Sequence, residues 1–163
     1  MAGTIPPTPT QLAATRLDVR LHRQHRAHHP ARALRLRVVL EETVLWRVVG
    51  SPEIMRDQLE HLHHLATQPH ITLQVLPHDT GAHPGLAGQF SILHFAEAAD
   101  TVVHLERFTS DLYLEKRSDV QHYTAMHAHL QTRALDEAHT VRCLTDAIKS
   151  YIGRDFSSTP VLP

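Results

Sequence analysis

The first indication of the fold is the heptapeptide Leu34-Arg35-Leu36-Arg37-Val38-Val39-Leu40. Its first half alternates apolar and basic side chains and its second half is entirely apolar, which is typical of a β-strand that runs from the surface into a core. Glu41 and Glu42 follow at once. The pattern predicts a strand whose end carries two adjacent carboxylates.

Helix signals follow this strand. A short helical turn is predicted through residues 45–46, and it ends at Gly50. Ser51-Pro52 then stands in the favoured order for a helix start, with a capping hydroxyl before a proline at the first helical position. We expect this helix to run to about Thr67.

Three further strands are predicted at residues 71–76, 90–95 and 101–106, where apolar and β-branched side chains cluster. The first two are separated by the glycine-rich loop 81–88, and the last two suit a hairpin. About four strands are therefore expected, in one small and mainly antiparallel sheet.

Two helices are predicted after these strands. Ser118 and Gln121 form a capping-box pattern for a helix that reaches about Ala134. Asp136 can cap a last helix. That helix carries the apolar residues Val141, Leu144, Ile148 and Tyr151. The predicted fold class is α+β, with the sheet flanked by four or five helices.

The N-terminal part of the chain is basic. Residues 1–37 contain seven of the sixteen Lys and Arg residues but only one of the seventeen acidic residues. An amphipathic helix is predicted from about Thr10 to Ala27. Its apolar side carries Ala13, Ala14, Leu17 and Leu21, and its basic side carries Arg16, Arg20, Arg23 and Arg26. Most such faces are solvated, and RNA binding is a weaker alternative.

The 163 residues fit one domain at about 10–153, between a disordered segment 1–9 and a flexible tail 154–163. The only cysteine, Cys143, cannot form an internal disulfide. The sequence shows no leader and no run of apolar residues long enough for a membrane span. We therefore expect a cytoplasmic protein that does not enter a membrane.

Two features suggest a binding site. A helical projection puts Gln58 near the middle of an apolar arc, so its amide should be shielded, either bonded to the backbone or lining a pocket. The loop 81–88 has no phosphate-binding pattern, because a strand and not a helix follows it. Its glycines, Gly81, Gly85 and Gly88, are expected at a turn or a pocket rim.

Histidines suggest a second kind of site. In the predicted hairpin, His94, His104 and Glu106 share one face with Ile92, while the other face is apolar and carries Leu93, Phe95, Val103 and Leu105. With His83 from the preceding loop, these imidazoles and the carboxylate could perform general acid–base chemistry or bind a metal, and solvent exposure is the simpler alternative.

His127 falls in the middle of the apolar stripe of the helix from Ser118, where a packed core histidine is the commoner case. The one-turn pairs His25/His29 and Glu60/His64 have no third ligand at a matching spacing, so neither a metal nor another cofactor is expected. No Gly-x-Ser-x-Gly elbow is present, which disfavours ordinary hydrolase chemistry.

Many dispersed positions over residues 16–138 resemble one known family. They are Leu40-Glu41-Glu42, Leu45, Val49-Gly50, Met55, Gln58-Leu59, Leu62, Val75-Leu76-Pro77, Gly81-Ala82-His83-Pro84-Gly85, Gly88, Phe90 and Leu105-Glu106. The chain resembles the C-terminal domain of helix-turn-helix, XRE-type regulators of high-GC bacteria, some of which are antitoxin-like partners of a small companion protein.

The resemblance implies a domain that binds a small molecule or a companion protein, and pairing of regulators suggests a homodimer. The helix-turn-helix is expected to be missing, so no sequence-specific DNA binding by the chain alone is expected. Three residues depart from the family pattern. His104 stands where relatives usually have Tyr, His127 where they have a large apolar side chain, and Glu41 where they have Asp.

Two hypotheses follow. The first is a stand-alone regulatory or antitoxin-like binding module. Its recognition site is formed by Glu42, Trp46, Gln58, Gly81, Gly85, Gly88 and Glu106. The second is a cofactor-independent enzyme of specialised metabolism that performs a cyclisation, isomerisation or dehydration. Its acid–base residues are His83, His104, Glu106 and His127.

Overall fold

The computed structural model describes residues 14, 17–19, 21–22, 34–95, 100–107 and 110–152. The strands are β1 (Leu36–Glu41), β2 (Ile71–Leu76), β3 (Ser91–His94), β4 (Thr101–Glu106) and β5 (Asp111–Leu114). The helices are α1 (Thr43–Trp46), α2 (Pro52–Ala66), α3 (Arg117–Arg133) and α4 (Glu137–Tyr151). Two short 3-10 turns, His78–Thr80 and Pro84–Ala87, lie between β2 and β3. The α+β class is as predicted.

The described strands form two sheets. β1 and β2 pair in parallel, from Leu36 opposite Ile71 to Glu41 opposite Leu76. A parallel pair cannot close through a tight turn and needs a crossover, which α1 and α2 provide. Ser51 caps α2 as predicted, because its hydroxyl accepts a hydrogen bond from the Ile54 amide at 3.3 Å.

The main core lies on one face of the parallel pair. The buried members of this cluster come from α1, α2, β2 and α4, and they are Leu45, Met55, Leu59, Leu73, Val75, Leu144, Ala147 and Tyr151. Apolar residues spaced three and four apart on α2 and α4 place one stripe of each helix against the strands. Burial of these side chains supplies the main stabilising free energy of this half of the protein.

The outer edge of β2 is covered by the connection between α3 and α4. The Val75 amide donates to Oγ1 of Thr140 at 3.1 Å, and the Val75 carbonyl accepts from the Leu135 amide at 2.8 Å. Thr140 is fully buried. Asp136 caps α4, as predicted, by accepting from the His139 amide at 2.8 Å.

The second sheet is antiparallel in the order β3-β4-β5, and β5 was not predicted from the sequence. Ser91 lies opposite His104, and Leu93 lies opposite Val102. Side chains of directly opposed residues share a face. His104 and Glu106 therefore share their face with Leu93, and the prediction that they share it with His94 is wrong by one residue of register.

The helix α3 begins at Arg117, so the cap predicted at Ser118 is not made. Residues 14, 17–19 and 21–22 are helical, and the rest of the helix predicted over 10–27 lies outside the described residues, as do the segments 1–9 and 154–163. Within the described part of the chain, none of the helices has the length and apolar character needed to cross a membrane.

Candidate functional site

The candidate site lies where the parallel strands end. Glu41 is the last residue of β1 and Glu42 follows it, and both are partly exposed. The segment that leaves β2 returns to the same edge with His78 and His83. The carboxyl edge of parallel strands is the usual place for ligand sites in α/β sheets, because the connecting loops meet there. Here it carries two carboxylates, each beside an imidazole.

Glu42 is tied to His78 by two contacts. One of its carboxylate oxygens accepts from the His78 backbone amide at 3.1 Å and lies 3.0 Å from Nδ1 of the His78 ring. The side-chain hydrogen bond to His78 holds the pKa of Glu42 below its usual value, and a hydrogen bond from Trp46 acts in the same direction. Glu42 therefore carries a negative charge over the whole neutral range.

Glu41 is paired with the second histidine. Nε2 of His83 lies 3.4 Å from Oε1 of Glu41, and the hydroxyl of Thr43 donates to the other carboxylate oxygen at 3.4 Å. The His83 side chain is only 7% exposed, whereas that of Glu41 is 40% exposed. Nδ1 of His83 is buried and has no hydrogen-bond partner among the described residues. This imidazole is oriented by a carboxylate at one nitrogen and unsatisfied at the other.

The glycine loop fits closely around His83. A Cβ added at Gly85 would lie 3.0 Å from Nδ1 of His83 and 3.6 Å from Leu130, so only glycine leaves room for the ring. Gly81 has a positive φ of 76°, a conformation that side chains rarely adopt. The Arg133 guanidinium donates to the Thr80 carbonyl at 2.6 Å and anchors the start of the loop to α3.

A strongly apolar surface adjoins this edge. It is formed by five large side chains that are exposed within eleven residues of sequence, and we call it the 44–54 surface: Val44, Trp46, Val48, Val49 and Ile54. Val49 is the most exposed of them, at 65%. Trp46 lies four residues after Glu42, on the helix α1 that begins next to the acidic edge. Clustered exposed apolar residues usually mark a contact with a partner.

Gln58 does not belong to this arrangement. Its side chain is exposed, so the prediction that it is shielded is wrong. The buried stripe of α2 is narrower than the predicted arc, because Met55 and Leu59 face the core while Ile54 is exposed. Gln58 lies on the Ile54 side of that stripe.

His104 and Glu106 lie on the antiparallel sheet. His104 is buried beneath Tyr113, with ring centroids 4.9 Å apart, and its Nε2 lies 3.1 Å from Oδ1 of Asp111. Glu106 is exposed, and one of its carboxylate oxygens accepts from the side-chain amide Nε2 of Gln89 at 3.3 Å. The contact with Asp111 ties β4 to the edge strand β5.

His127 is half-buried on α3. Its ring lies 6.5 Å from that of Phe90 in an edge-on contact, and Phe90 also packs on Tyr123 at 5.1 Å. Phe90 directly precedes Ser91, the cross-strand partner of His104, so alternation puts it on the other face of the sheet. The register of the antiparallel sheet puts His104 on one face and the Phe90–His127 contact on the other. His83 lies elsewhere, beside Glu41 at the carboxyl edge of the parallel strands.

Two further findings bear on chemistry. Among the described residues, no three His, Cys, Asp or Glu side chains are arranged to hold a metal ion. Burial raises the pKa of the Cys143 thiol, and the charges of Glu42 and Asp146 add to the effect. The thiol therefore stays protonated at neutral pH, which makes it a poor nucleophile.

An open groove of about 470 Å³ lies apart from these residues. It follows the outer side of β2 and the start of α4, and its lining is Thr72, Gln74, Asp136, Glu137 and Ala138. None of the residues predicted from the sequence to form a site lines it.

The sequence did not predict the two carboxylate–imidazole pairs at the carboxyl edge of β1 and β2. Glu42 was noted at the strand exit, but its partner His78 was not singled out. The available signal was the position of both residues: each lies within two residues of the end of a buried apolar strand. Recognising that the two strands run parallel would have brought their ends together.

One family model, described as a domain of unknown function (DUF5753), matches residues 1–146. No curated protein and no solved structure matches the chain.

Proposed function

The chain belongs to the DUF5753 family of domains of unknown function, and we propose that it is a binding module of the regulatory, antitoxin-like kind that docks a companion protein. The observation that carries the proposal is the 44–54 surface, five exposed apolar side chains beside the Glu41–His83 and Glu42–His78 pairs.

The composition of this surface favours a protein partner. Binding energy at protein interfaces concentrates in a few aromatic and apolar side chains, and polar groups around them fix the register. Trp46 can serve as the aromatic anchor, because it is 44% exposed and lies on the short helix that begins next to the acidic edge.

The acidic edge defines the chemistry of the partner. Among the described residues, Glu41 and Glu42 are each paired with a histidine and not with a Lys or Arg side chain. A Lys or Arg side chain of a partner can form charge-assisted hydrogen bonds to these carboxylates. We therefore expect a partner segment that combines apolar residues with at least one basic residue.

The test uses a display library of random peptides, selected on the purified chain and counter-selected on the Glu42→Gln protein. Enrichment of peptides with apolar residues and a Lys or Arg is expected, with binding weakened at least tenfold by Trp46→Ala and by Glu42→Gln. The control is Leu86→Ala, which alters an apolar residue on the glycine loop that is more exposed than Trp46, at 65% against 44%. Peptides that bind all three variants equally well, or a failure to enrich any, would overturn the proposal.

A second candidate function, the acid–base enzyme, is favoured by one observation. Glu41 orients His83 at Nε2 and leaves Nδ1 without a partner, which is the arrangement of an imidazole available for proton transfer. Access to Nδ1 would require the loop 81–88 to move, because Gly85 lies against that side of the ring.

Native mass spectrometry of the purified chain, incubated with metabolite extracts, tests this second candidate. A bound or converted small molecule that is lost in His83→Gln and kept in His139→Gln supports an enzyme or sensor at this edge. His139 is a suitable control because its ring is exposed and bonded only to its helix cap, Asp136. Identical spectra for all three proteins would remove the candidate.

A further inference from the structure

The glycine loop, residues 81–88, is attached to the rest of the protein at few points. Its backbone hydrogen bonds among the described residues are internal: the Leu86 amide donates to the His83 carbonyl at 3.2 Å, and the Gly88 amide donates to the Gly85 carbonyl at 3.1 Å. No residue of the loop belongs to the buried core, and Leu86 is 65% exposed. Segments with few buried apolar contacts are the ones that open locally at the lowest free energy.

Both ends of the loop are glycines in backbone conformations that side chains rarely adopt. The φ angle is 76° at Gly81 and 128° at Gly88. A Cβ added at either residue would meet no atom beyond its chain neighbours within 4 Å, so the rest of the protein does not crowd these two positions. Just before the loop, the Arg133 guanidinium donates to the Thr80 carbonyl at 2.6 Å. The loop can therefore turn at its two glycines while its base stays attached to α3.

His83 is the side chain that points inward from the loop, and only 7% of it is exposed. Its Nε2 lies 3.4 Å from Oε1 of Glu41, and its buried Nδ1 has no hydrogen-bond partner among the described residues. A carboxylate beside one ring nitrogen favours the proton on that nitrogen, so Nδ1 of the neutral ring is an acceptor. A buried acceptor without a donor disfavours the closed loop, and a ligand that supplies a donor removes this penalty.

Leu130 of α3 lies beneath the loop. It is 6% exposed, and its Cδ1 would lie 3.6 Å from a Cβ added at Gly85. Tyr123 and His127 precede it by seven and three residues, so the three share one side of the helix. Phe90, two residues after the loop, packs on Tyr123 with ring centroids 5.1 Å apart. An open loop would therefore uncover the Leu130 end of a largely apolar strip of α3, beside the unpartnered imidazole nitrogen.

We propose that the glycine loop is a lid over a binding site for a small, mainly apolar molecule that carries a hydrogen-bond donor, such as a hydroxyl or an amide N–H. The donor binds Nδ1 of His83, and the apolar part packs on Leu130. A ligand with this chemistry binds the open state and shifts the loop toward it. The inference rests on the second candidate function for the role of that nitrogen, but it needs binding alone, so the absence of any converted metabolite would remove the enzyme and leave the lid.

The test uses probes in matched pairs that differ in the hydroxyl donor: benzyl alcohol with toluene, and phenol with benzene. Dissociation constants for the full chain are measured by NMR, from the amide signals of residues 81–88 and the methyl signals of Leu130. In His83→Gln the preference for each alcohol over its hydrocarbon should fall by about tenfold or more, because glutamine keeps a donor toward Glu41 and has no acceptor at the Nδ1 position. The control is His104→Gln, a change of another buried histidine, which should keep the preference.

A second measurement uses the unchanged chain and so does not depend on how a variant folds. Diethyl pyrocarbonate acylates accessible imidazole nitrogens, and its rate at each histidine is determined by mass spectrometry. Saturating benzyl alcohol should slow the reaction at His83 and leave it unchanged at the exposed His139. Probes that shift no signal of the loop or of Leu130, an equal preference in His83→Gln, or no protection of His83 would overturn the proposal. Trp46→Ala, which removes the anchor for companion docking, should bind the probes normally, so the two proposals fail separately.

Discussion

The hydroxyl of Tyr151 donates a hydrogen bond to the backbone carbonyl of Leu45 at 3.0 Å, across 106 positions of sequence. Both residues are buried. The bond joins the last turn of α4 to the short helix α1, which carries Trp46 and part of the 44–54 surface. A four-residue helix has little stability of its own, so its position depends on such tertiary contacts.

Replacing Tyr151 by Phe removes this bond and leaves the Leu45 carbonyl buried without that donor. We expect the free energy of unfolding to fall by about 1–3 kcal/mol. Urea denaturation followed by circular dichroism measures the change. Tyr113→Phe is the control, since Tyr113 is half exposed, and it should change stability by less than about 0.5 kcal/mol. Equal stability of the two variants would contradict a structural role for the Tyr151 hydroxyl.

Thr140→Val is expected to destabilise the protein although the two side chains have nearly the same shape. The Thr140 hydroxyl is the acceptor for the buried Val75 amide, and valine cannot replace it. Leaving that amide unsatisfied costs about 1–3 kcal/mol. Thr145→Val is a matched change, because the Thr145 hydroxyl bonds only a carbonyl of its own helix, at Val141. Thermal unfolding should show a clearly larger loss for the change at Thr140.

The Glu42–His78 pair predicts a pH window. The pKa of Glu42 is lowered by its hydrogen bond to His78, so its contribution to stability is present above the unfolded pKa and is lost as pH falls through the folded one. The pKa of His78 is raised by the same bond, so its contribution is complete below the unfolded pKa and is lost as pH rises through the folded one. The pair is therefore most stabilising between about pH 4.5 and pH 6.5.

The test of this window is an NMR titration of the histidine ring protons. In Glu42→Gln the apparent pKa of His78 should fall toward its ordinary value. An unchanged His78 titration would show that the two side chains do not interact in solution.

Two glycine substitutions should destabilise the protein for different reasons. In Gly85→Ala the new methyl group meets the His83 ring at 3.0 Å, so the ring must shift and its contact with Glu41 is disturbed. In Gly81→Ala the space is open and only the positive φ is unfavourable. Each change should cost about 1–3 kcal/mol. Only Gly85→Ala should shift the NMR signals of His83, and equal shifts in both variants would refute the steric explanation.

The sequence was sufficient for most helices and strands, since long periodic segments and caps such as Ser51 and Asp136 act locally. It was insufficient to predict which strands pair and in which register. The register of β3 and β4 depends on the length of the connecting turn, and an error of one residue moved His94 to the wrong face. β5 is only four residues long and largely exposed, so it carries no strong apolar pattern.

The candidate site was predicted only in part, because its residues come together through the pairing of strands that are distant in sequence. Glu42, Trp46 and the glycine loop are placed at one edge because the parallel strands end there. The pairing of Glu41 with His83 joins the end of β1 to the loop after β2, and no local pattern encodes it. Gln58 was misplaced because periodicity indicates which side of a helix is apolar but not how wide its contact will be.

The parallel pairing of β1 with β2 also matters while the chain is being made. The two strands leave the ribosome well before α4, whose residues Leu144 and Ala147 cover Leu73 and Val75 in the finished core. A parallel pair without its helices is too small to be stable alone, so the emerging chain must keep these apolar segments unpaired until synthesis passes Tyr151. Translation that stops before Glu137 would therefore release an unfolded, aggregation-prone fragment. Such a fragment is a substrate for chaperones and proteases and does not fold into a shorter domain.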